Sequence, residues 1–278
     1  MKADRPIQID LERVIADKLG KKARMVPRPL VRALSRYIRC EELNALLRDN
    51  FPRRDAEFCR GVLADLDVKV EIRGAENFPE SGRVIFASNH PLGGLDGMAL
   101  IAAISDRYRS PMRFVVNDLL MAVEPLSDTF LPINKHGAQC REAAGALDAA
   151  MASDMPVAVF PAGLVSRLGK GGEIRDLAWH KMFVNKAVQH RRDIVPVHIS
   201  GENSRGFYRM AMWRKRLGIG FNIEMLRLPA EVFRSRGKTL TITIGKPIPY
   251  SSLGAGRQAA ATAEAIKESV YALSPSTI

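Results

Sequence analysis

A histidine and an aspartate lie six positions apart in the segment Ser88–Gly97, whose sequence is SNHPLGGLDG. A neutral imidazole accepts a proton near pH 7, and a carboxylate on its second ring nitrogen fixes the tautomer and stabilises the imidazolium that forms. His90 and Asp96 are therefore candidates for a general base and the group that orients it. On their own, the same two residues are also compatible with an ordinary structural hydrogen bond.

The elements around this pair decide where it can act. The apolar run Val84–Ala87 predicts a strand before His90, and the pattern of Gly97–Asp106 predicts a helix after it. In open α/β sheets, functional groups collect where parallel strands end. Asp96 is then the N-cap or a first-turn residue of the helix, and the glycines of the loop allow its carboxylate to fold back toward the imidazole.

Short β-rich runs alternate with helical stretches along most of the chain. This alternation predicts an α/β fold with a largely parallel central sheet that is flanked by helices. The predicted strands are Val68–Ile72, Val84–Ala87, Arg113–Val116, Val157–Phe160, Ile194–Ile199 and Thr239–Ile244. The helices predicted between and after them are Gly97–Asp106, Gln139–Ser153, Ala178–His190 and Arg257–Leu273.

The N-terminal part of the chain predicts an amphipathic helical appendage. Over Pro29–Asp49, apolar residues recur at helical spacing and arginines occupy the other side, which is typical of one basic amphipathic helix. Such a helix either packs on its own domain with a solvated basic face or lies on an anionic membrane. A second helix is predicted at Asp55–Leu66. We therefore divide the chain into a helical membrane-association region, residues 1–66, and an α/β domain, residues 67–278.

The chain carries a formal net charge of +12, and the excess of positive charge is concentrated in two patches. Residues 1–50 have a net charge of +5, and residues 167–216 have a net charge of +8. Patches of this kind attract phosphate, either on nucleic acid or on an anionic lipid surface. The sequence contains no recognisable nucleic-acid-binding module, so we expect no nucleic-acid partner.

The stretch between Ser204 and Phe221 interleaves aromatic residues and methionines with five basic side chains. At a membrane interface, Trp and Tyr lie at the depth of the headgroups, and each Lys or Arg near an anionic surface contributes about 1 kcal/mol. This composition therefore fits a membrane-facing segment. It also fits an ordinary surface helix whose aromatic residues pack inward.

Several classes of protein are disfavoured by what the sequence lacks. The longest stretches without a charged residue, Val84–Leu95 and Met155–Ser166, are 12 residues long, whereas roughly 18 or more apolar residues are needed to span a bilayer. The N-terminus has no apolar leader, so we expect a cytoplasmic protein in which Cys40, Cys59 and Cys140 are reduced and mostly buried. Gly-x-Ser-x-Gly, P-loop, CxxC and HExxH motifs are absent, and we expect no metal site.

Four blocks of the sequence carry a family resemblance. They are Asn89-His90-Pro91 with Asp96-Gly97, Phe130–Lys135, Phe160–Ser166 and Ile194–Val197. In this order they resemble the motifs of the glycerophospholipid acyltransferase family, typified by the lysophosphatidate acyltransferases. The resemblance implies that the first block holds a catalytic histidine and aspartate. It also implies that the second block is a strand ending in a basic residue, Lys135, which binds the acceptor's phosphate, and that the fourth is an apolar strand that closes the site.

Two departures from the family pattern narrow the expected acceptor. Five residues separate His90 from Asp96, whereas family members usually have four, and this glycine-rich spacer resembles a subgroup that acylates lyso forms of ornithine or glycine lipids. In the third block, Ala162 and Val165 stand where the family usually has Glu and Arg, and Arg167 follows two positions late. Loss of that carboxylate and that cation weakens a contact to a phosphate headgroup. Lysophosphatidate is therefore the less favoured acceptor.

The resemblance implies acyl transfer with no covalent enzyme intermediate. His90 takes the proton from the acceptor's hydroxyl as that oxygen attacks the thioester of an acyl carrier protein or coenzyme A, and Asp96 holds the imidazole. Backbone N–H groups of the Gly93–Gly94 loop or near Gly163 stabilise the developing oxyanion, although each glycine is also compatible with a simple turn. The acyl thioester is a co-substrate, and we expect no cofactor.

The other predicted contacts belong to substrate binding. Lys135, Arg167 and Lys170 are candidates for contacts with the acceptor's headgroup or the donor's phosphates, and each is also compatible with a solvated surface charge. The predicted substrate-binding residues are Asn89, Gly93, Gly94, Lys135, Gly163 and Arg167. Trp179 is assigned to the core, and no chemistry is assigned to His136, His180, His190 and His198.

Three functions stay open on the sequence. The favoured one is an O-acyltransferase that converts a lyso-aminolipid to its diacyl form while bound peripherally to the inner face of the cytoplasmic membrane. The second keeps the reaction but uses lysophosphatidate as the acceptor, and the third is a non-catalytic lipid-binding protein. The expected partners are a lyso-lipid, an acyl thioester of coenzyme A or of an acidic acyl carrier protein, and an anionic membrane surface.

Overall fold

The computed structural model of the chain describes residues 8–20, 25–117, 120–121, 123–133, 139–169 and 171–274. The helices are α1 (Leu11–Leu19), α2 (Arg28–Tyr37), α3 (Cys40–Asp49), α4 (Asp55–Asp65), α5 (Gly94–Tyr108), α6 (Gln139–Ala152), α7 (Met182–His190), α8 (Arg205–Arg216), α9 (Leu228–Arg234) and α10 (Ala259–Ala272). The strands are β1 (Lys69–Arg73), β2 (Val84–Ser88), β3 (Arg113–Asn117), β4 (Phe130–Ile133), β5 (Val157–Val159), β6 (Arg167–Leu168), β7 (Ile174–Arg175), β8 (Asp193–Ile199) and β9 (Thr239–Ile244).

A seven-stranded sheet forms the centre of the molecule, with the strand order β1-β9-β8-β2-β5-β3-β4. Neighbouring strands run parallel except for the antiparallel pair of β8 and β9. The remaining two strands, β6 and β7, form a small antiparallel hairpin that the sequence analysis did not predict. The predicted fold class, a largely parallel α/β sheet with flanking helices, is confirmed.

Apolar side chains cover both faces of this sheet. Along β2, Val84 and Phe86 point to one face, and Ile85 and Ala87 point to the other, as strand geometry requires. Helices α4, α5 and α9 pack on the first face, and α6, α7 and α10 pack on the second. Because all five residues of β2 are buried, the strand is fixed on every side and can hold a site at its end.

The predicted single helix Pro29–Asp49 is wrong, because the structure divides it into α2 and α3. Arg39 lies between the two helices with a φ of 56°, in the left-handed region where an α-helix does not continue. Its Nε donates to Oε1 of Glu42 at 2.9 Å, and its guanidinium lies 4.3 Å from the ring centroid of Phe233. These contacts hold the break between the helices.

The N-terminal helices differ in how much they bury. In α3, Leu43, Leu46 and Leu47 pack against the core of the sheet, and in α4 the side chains of Phe58 and Val62 are part of that core. Helix α2 has no buried residue. The proposed division of the chain at residue 66 stays a prediction.

Helix starts are predicted less well than strands. Helix α5 begins at Gly94 rather than Gly97, so Asp96 lies in its first turn, as expected. Helix α7 begins at Met182 rather than Ala178. Before the helix, the His180 backbone N–H donates to the carbonyl oxygen of Pro161 at 3.0 Å, and the Trp179 indole donates to the nearby Asp176.

One buried cation positions the start of β2. Arg192 is fully buried, and its guanidinium donates to the carbonyl oxygen of Val84 at 3.1 Å and to four carbonyls near the end of α6. Burial lowers the pKa of Arg192 to about 10, so the side chain is still charged at pH 7. By donating to these carbonyls, Arg192 acts as a C-terminal cap for α6, together with Ser153, whose hydroxyl donates to the carbonyl oxygen of Ala150 at 2.8 Å.

Three expectations concerned cysteines, membrane spans and metals. Cys40 and Cys59 are buried free thiols, as expected, whereas the side chain of Cys140 lies outside the described part of the structure. Within the described ranges, no helix has both the length and the apolar character that crossing a membrane requires. The same ranges contain no group of three or more His, Cys, Asp or Glu residues placed to hold a metal ion.

Candidate active site

His90 lies just beyond the carboxyl end of β2, which has β8 on one side and β5 on the other. The three strands are parallel, so their carboxyl ends meet at one edge of the sheet. The structure thus brings together the first, third and fourth blocks named above. The second block is β4, at the sheet edge, with β3 between it and β5. Its predicted basic residue, Lys135, lies outside the described residues, as do Lys170 and His136.

The predicted pair of His90 and Asp96 is formed. Nδ1 of the imidazole lies 3.0 Å from Oδ2 of Asp96. The same carboxylate oxygen accepts from the backbone N–H groups of Leu92 at 2.8 Å and Gly93 at 3.0 Å. An ionised carboxylate can only accept, so the imidazole proton lies on Nδ1 and Nε2 is left as a base.

Asp96 is wholly buried, whereas 16% of the His90 side chain is exposed. Burial raises the pKa of the Asp96 carboxyl above its usual value, and the hydrogen bonds from His90, Leu92 and Gly93 act in the opposite direction. Among the described residues, the other carboxylate oxygen, Oδ1, has no hydrogen-bonding partner. The negative charge is therefore directed at the imidazole and the loop that carries it.

The loop between His90 and Asp96 turns back at Gly93, whose φ is 92°. This is a conformation that only glycine adopts readily. A Cβ at this position would lie 3.2 Å from a side-chain carbon of Leu228 and 3.5 Å from one of Val165. The extra residue in the spacer is thus accommodated by a sharp turn that brings two N–H groups onto Asp96.

The His90 ring and main chain are fixed by the third block. The imidazole stacks on Phe160, with ring centroids 3.9 Å apart and an angle of 15° between the planes. The carbonyl oxygen of His90 accepts from the N–H of Ser166 at 2.8 Å. Phe160 itself packs on Phe114 of β3, with centroids 5.0 Å apart. The imidazole therefore has little freedom to rotate away from Asp96.

Asn89 was predicted to bind substrate, and the structure places it between two strands. Its side chain is 2% exposed. Its amide nitrogen donates to the carbonyl oxygen of Ile199 at 2.9 Å, and its amide oxygen accepts from the N–H of Ile199 at 2.7 Å. These bonds tie the end of β2 to the end of β8. A contact of Asn89 with substrate stays a prediction.

The three candidate glycines are not equivalent as oxyanion donors. The N–H of Gly93 is bonded to Asp96, and the N–H of Gly163 donates to the carbonyl oxygen of Phe160 at 3.0 Å. Gly163 has a φ of 67° and is exposed, so it serves as a turn. Gly94 is exposed at the N-terminus of α5, where helix N–H groups lack intrahelical partners.

Arg167 belongs to a cluster of charges around the buried Glu224, beside the site. Its guanidinium donates to Oε1 of Glu224 at 3.0 Å, and Arg214 of α8 donates to Oε2 of the same residue at 2.8 Å. Glu224 has no exposed surface, and 12% of the Arg167 side chain remains exposed. Arg167 also lies 5.4 Å from the ring centroid of Phe207. The cluster as a whole carries one net positive charge.

The other predicted assignments concern residues outside the blocks. Trp179 is buried at 5% exposure, in agreement with a place in the core. His190 bonds to Asp148, with 3.0 Å between Nε2 and Oδ1. His198 is buried, and burial lowers its pKa to about 4, so its ring is neutral at pH 7.

Two acidic residues near the site were missed by the sequence analysis. Asp176 and Glu224 are both buried, and each accepts hydrogen bonds from distant segments. Each is one of the few acidic residues in a strongly basic stretch, which is a weak signal for a buried counter-charge. Their partners could not be read from the sequence because they are far away along the chain.

The family of the chain is decided by a comparison with family models. The model described as acyltransferase matches residues 13–277. The chain belongs to the acyltransferase family. The match extends over the N-terminal helices as well as the sheet, and it includes all the residues of the site.

Two curated relatives resemble this acyltransferase over nearly its whole length. A lyso-glycine lipid O-acyltransferase of Phocaeicola vulgatus is 44% identical over 95% of this chain and 95% of its own length. A lyso-glycine lipid O-acyltransferase of Bacteroides thetaiotaomicron is 41% identical over 95% of this chain and 97% of its own length.

Among solved structures, the chain resembles the crystal structure of the 1-acyl-sn-glycerophosphate acyltransferase PlsC from Thermotoga maritima. The identity is 18%, the TM-score is 0.45, and the match covers 87% of this chain and 95% of the other.

The buried carboxylate of Asp96 predicts opposite effects on activity and stability. We expect Asp96→Asn to lower the rate of acyl transfer by at least about 100-fold, because a neutral amide does not stabilise the imidazolium. The folded-state pKa of Asp96 is raised, so its ionised form costs folding free energy above the pKa of the unfolded chain. At pH 7 the melting temperature of Asp96→Asn should therefore equal or exceed that of the wild type.

The matched control is Asp148→Asn. Asp148 bonds His190 at the same distance of 3.0 Å, but 42% of its side chain is exposed, and its partners Lys186 and His190 lie outside the four blocks. Its pKa is lowered, chiefly by Lys186, so the change should weaken the fold slightly and leave activity unchanged. Full activity of Asp96→Asn, measured by mass spectrometry of the acylated product, would contradict the assigned role.

Proposed function

We propose that this acyltransferase moves a fatty acyl chain from an acyl thioester to the hydroxyl of a lyso-glycine lipid. The observation that carries the proposal is the pair of His90 and buried Asp96, with Nε2 left as a base, in a chain of this family. The acceptor is inferred from the two relatives at 44% and 41% identity, both named lyso-glycine lipid O-acyltransferase.

The proposed reaction is a direct transfer. Nε2 of His90 takes the proton of the acceptor hydroxyl while the oxygen forms a bond to the thioester carbonyl carbon. The tetrahedral intermediate then breaks its carbon–sulfur bond, and the leaving thiolate takes the proton from the imidazolium. The products are an ester and a free thiol, and His90 returns to its neutral form.

Asp96 and the start of α5 stabilise the two charges of this intermediate. The Asp96 carboxylate lies against Nδ1 and balances the imidazolium. The negative oxygen is placed near Gly94, because the N-terminus of α5 offers N–H groups without intrahelical partners and the positive end of a helix dipole. The N–H of Gly93 stays on Asp96 throughout.

The charge of the Arg167 cluster favours an acceptor with a single negative charge. A lyso-glycine lipid whose glycine nitrogen is acylated ends in one carboxylate, whereas lysophosphatidate carries a phosphate monoester with close to two charges at pH 7. Arg167 and Arg214 share the buried Glu224, so together they offer one net positive charge. Ala162 and Val165 contribute no further charge beside them. A lyso-ornithine lipid adds an amine that this cluster would repel.

We propose that an exposed apolar tip of the molecule contacts the membrane. The tip is defined by Met212, Trp213, Leu217, Ile219 and Phe221. Trp213 is 57% exposed, and Leu217 and Phe221 are each 66% exposed. The exposed cations around the tip are Arg205, Arg209, Lys215 and Arg216. Apolar side chains ringed by cations fit the interface of an anionic bilayer.

Helix α2 extends this surface. Tyr37 at the end of α2 contacts Met210 of α8, and its hydroxyl accepts from Arg227 at 3.3 Å. Leu30 of α2 is 58% exposed between exposed arginines. Because Arg214 links α8 to the Arg167 cluster, a bilayer on this face lies next to the site. We place the protein peripherally on the inner face of the cytoplasmic membrane.

The reaction is tested with purified protein, lyso-glycine lipid and an acyl thioester of either coenzyme A or acyl carrier protein. We expect the diacyl lipid with at least one donor, and the comparison of donors decides between them. His90→Ala should reduce product formation by at least about 100-fold without loss of fold, because the base is removed. Full activity of His90→Ala, or preference of the wild type for lysophosphatidate or lyso-ornithine lipid, would overturn the proposal.

The headgroup assignment is tested with Glu224→Gln. This change raises the net charge of the cluster by one, so the preference in kcat/KM for lyso-glycine lipid over lysophosphatidate should fall by about tenfold or more. The matched control is Glu231→Gln, which alters another buried acid that accepts from Ser204. Thermal unfolding of both variants separates misfolding from altered selectivity. An unchanged preference in folded Glu224→Gln would contradict the role of the cluster.

The membrane surface is tested by fluorescence and by charge reversal. The chain has two tryptophans, and Trp179 is buried at 5% exposure, so a blue shift on adding anionic vesicles reports on Trp213. Lys215→Glu/Arg216→Glu should weaken vesicle binding by about 30-fold or more, because each of the two lost cations contributes about 1 kcal/mol to binding. Arg107→Glu/Arg109→Glu, at the end of α5 away from the site, should not. Equal binding of both variants would contradict this surface.

A further inference from the structure

The carboxylate of Asp176 joins three separate segments behind the site. It is 5% exposed and follows β7. Oδ1 accepts from the backbone N–H of His90 at 3.2 Å and from the hydroxyl of Ser166 at 2.6 Å. Oδ2 accepts from Nε1 of Trp179 at 3.0 Å. None of the four sequence blocks contains this residue.

The segment that carries Asp176 is itself held by the C-terminal helix. The N–H of Asp176 donates to the hydroxyl of Tyr271 on α10 at 2.7 Å. Next to it, Arg175 stacks on the Tyr271 ring at 4.3 Å and makes two bonds of 2.8 Å to Glu268. The position of the carboxylate is thus set by two residues of α10, Glu268 and Tyr271, which lie more than 170 positions after His90 in sequence.

Asp176 forms no ion pair with any of the described residues. Its charge is balanced by the N–H and O–H dipoles of its three donors. Loss of the carboxylate would leave those three donors without an acceptor in a buried place, which is the unfavourable case for hydrogen-bonding groups. The positions of His90, Ser166 and Trp179 around Asp176 therefore depend on the carboxylate that all three share.

We propose that Asp176 is a positioning residue for His90. Its carboxylate fixes the His90 N–H, Ser166 fixes the His90 carbonyl, and Asp96 fixes Nδ1, so Nε2 is the one polar atom of His90 directed at the acceptor. This inference rests on the proposed role of His90 as the base. It goes beyond that role because it extends the machinery to a residue outside the blocks and, through Tyr271, to α10.

The inference is tested by kcat and KM together. Asp176→Leu removes the acceptor of all three hydrogen bonds and keeps a side chain of similar volume. We expect kcat to fall by about 100-fold, because the base is misplaced, while the KM values for both substrates stay within about threefold of the wild type. Trp179→Phe is the matched control, because it removes one donor from the same carboxylate and leaves the His90 bond. Its kcat should stay within about threefold of the wild type.

The conservative variant separates positioning from general stability. In Asp176→Asn/Trp179→Phe, the oxygen of the new amide can accept from His90 and Ser166. The NH2 group of the same amide no longer faces the indole N–H, because Trp179→Phe removes that donor. We expect kcat within about fivefold of Trp179→Phe alone. A kcat as low as that of Asp176→Leu would overturn the inference, as would a kcat of folded Asp176→Leu within about threefold of the wild type.

A second route covers the case in which Asp176→Leu does not fold. Tyr271→Phe removes the hydroxyl that accepts from the Asp176 N–H and also bonds Ser166, and it keeps the Asp176 carboxylate. A severalfold fall in kcat at constant KM supports the inference, and an unchanged kcat overturns it. All assays use the acceptor that the wild type acylates best. If that acceptor is not lyso-glycine lipid, the proposed substrate is wrong, but the test of Asp176 remains valid. If His90→Ala is fully active, the proposed role of His90 as the base is wrong, and the inference on Asp176 loses its basis.

Discussion

A carboxylate without access to water is stable only when hydrogen-bond donors surround it, and the site of this acyltransferase depends on that constraint at Asp96. Two donors are backbone N–H groups of the loop and the third is the imidazole of His90. The loop must therefore close over the carboxylate in one shape. That shape directs Nδ1 toward Asp96 and leaves Nε2 as the unprotonated ring nitrogen.

The sheet supports this arrangement by placing rigid strands around it. β2 is buried throughout its length, and its neighbours β5 and β8 deliver Phe160 and Ile199 to the two sides of the His90 loop. Phe160 stacks on the ring, and Ile199 holds Asn89. Since these contacts come from the ends of parallel strands, the rigid sheet restricts displacements of the His90 loop.

Charge is distributed differently in the site and on the surface beside it. Inside, Asp176 is balanced by dipoles and Glu224 by two arginines, so each buried acid has donors. Outside, the cations of α8 have few acidic neighbours in sequence and surround exposed apolar residues. Arg214 belongs to both regions. This link is the physical basis of the two proposals that the cluster binds the headgroup and that the neighbouring surface faces a membrane.

The sequence by itself determined the alternation of strands and helices, the buried strand before His90 and the pairing with Asp96, because each depends on residues close together in the chain. It did not determine the break at Arg39, the place of the second block at the sheet edge, or the bonds that His90 donates to Asp176 and Arg167 donates to Glu224. The break depends on contacts with Phe233, and the place of the second block depends on the strand order. The bonds of Asp176 and Glu224 join segments that are distant in sequence. Contacts between distant segments are decided only when the whole sheet has assembled.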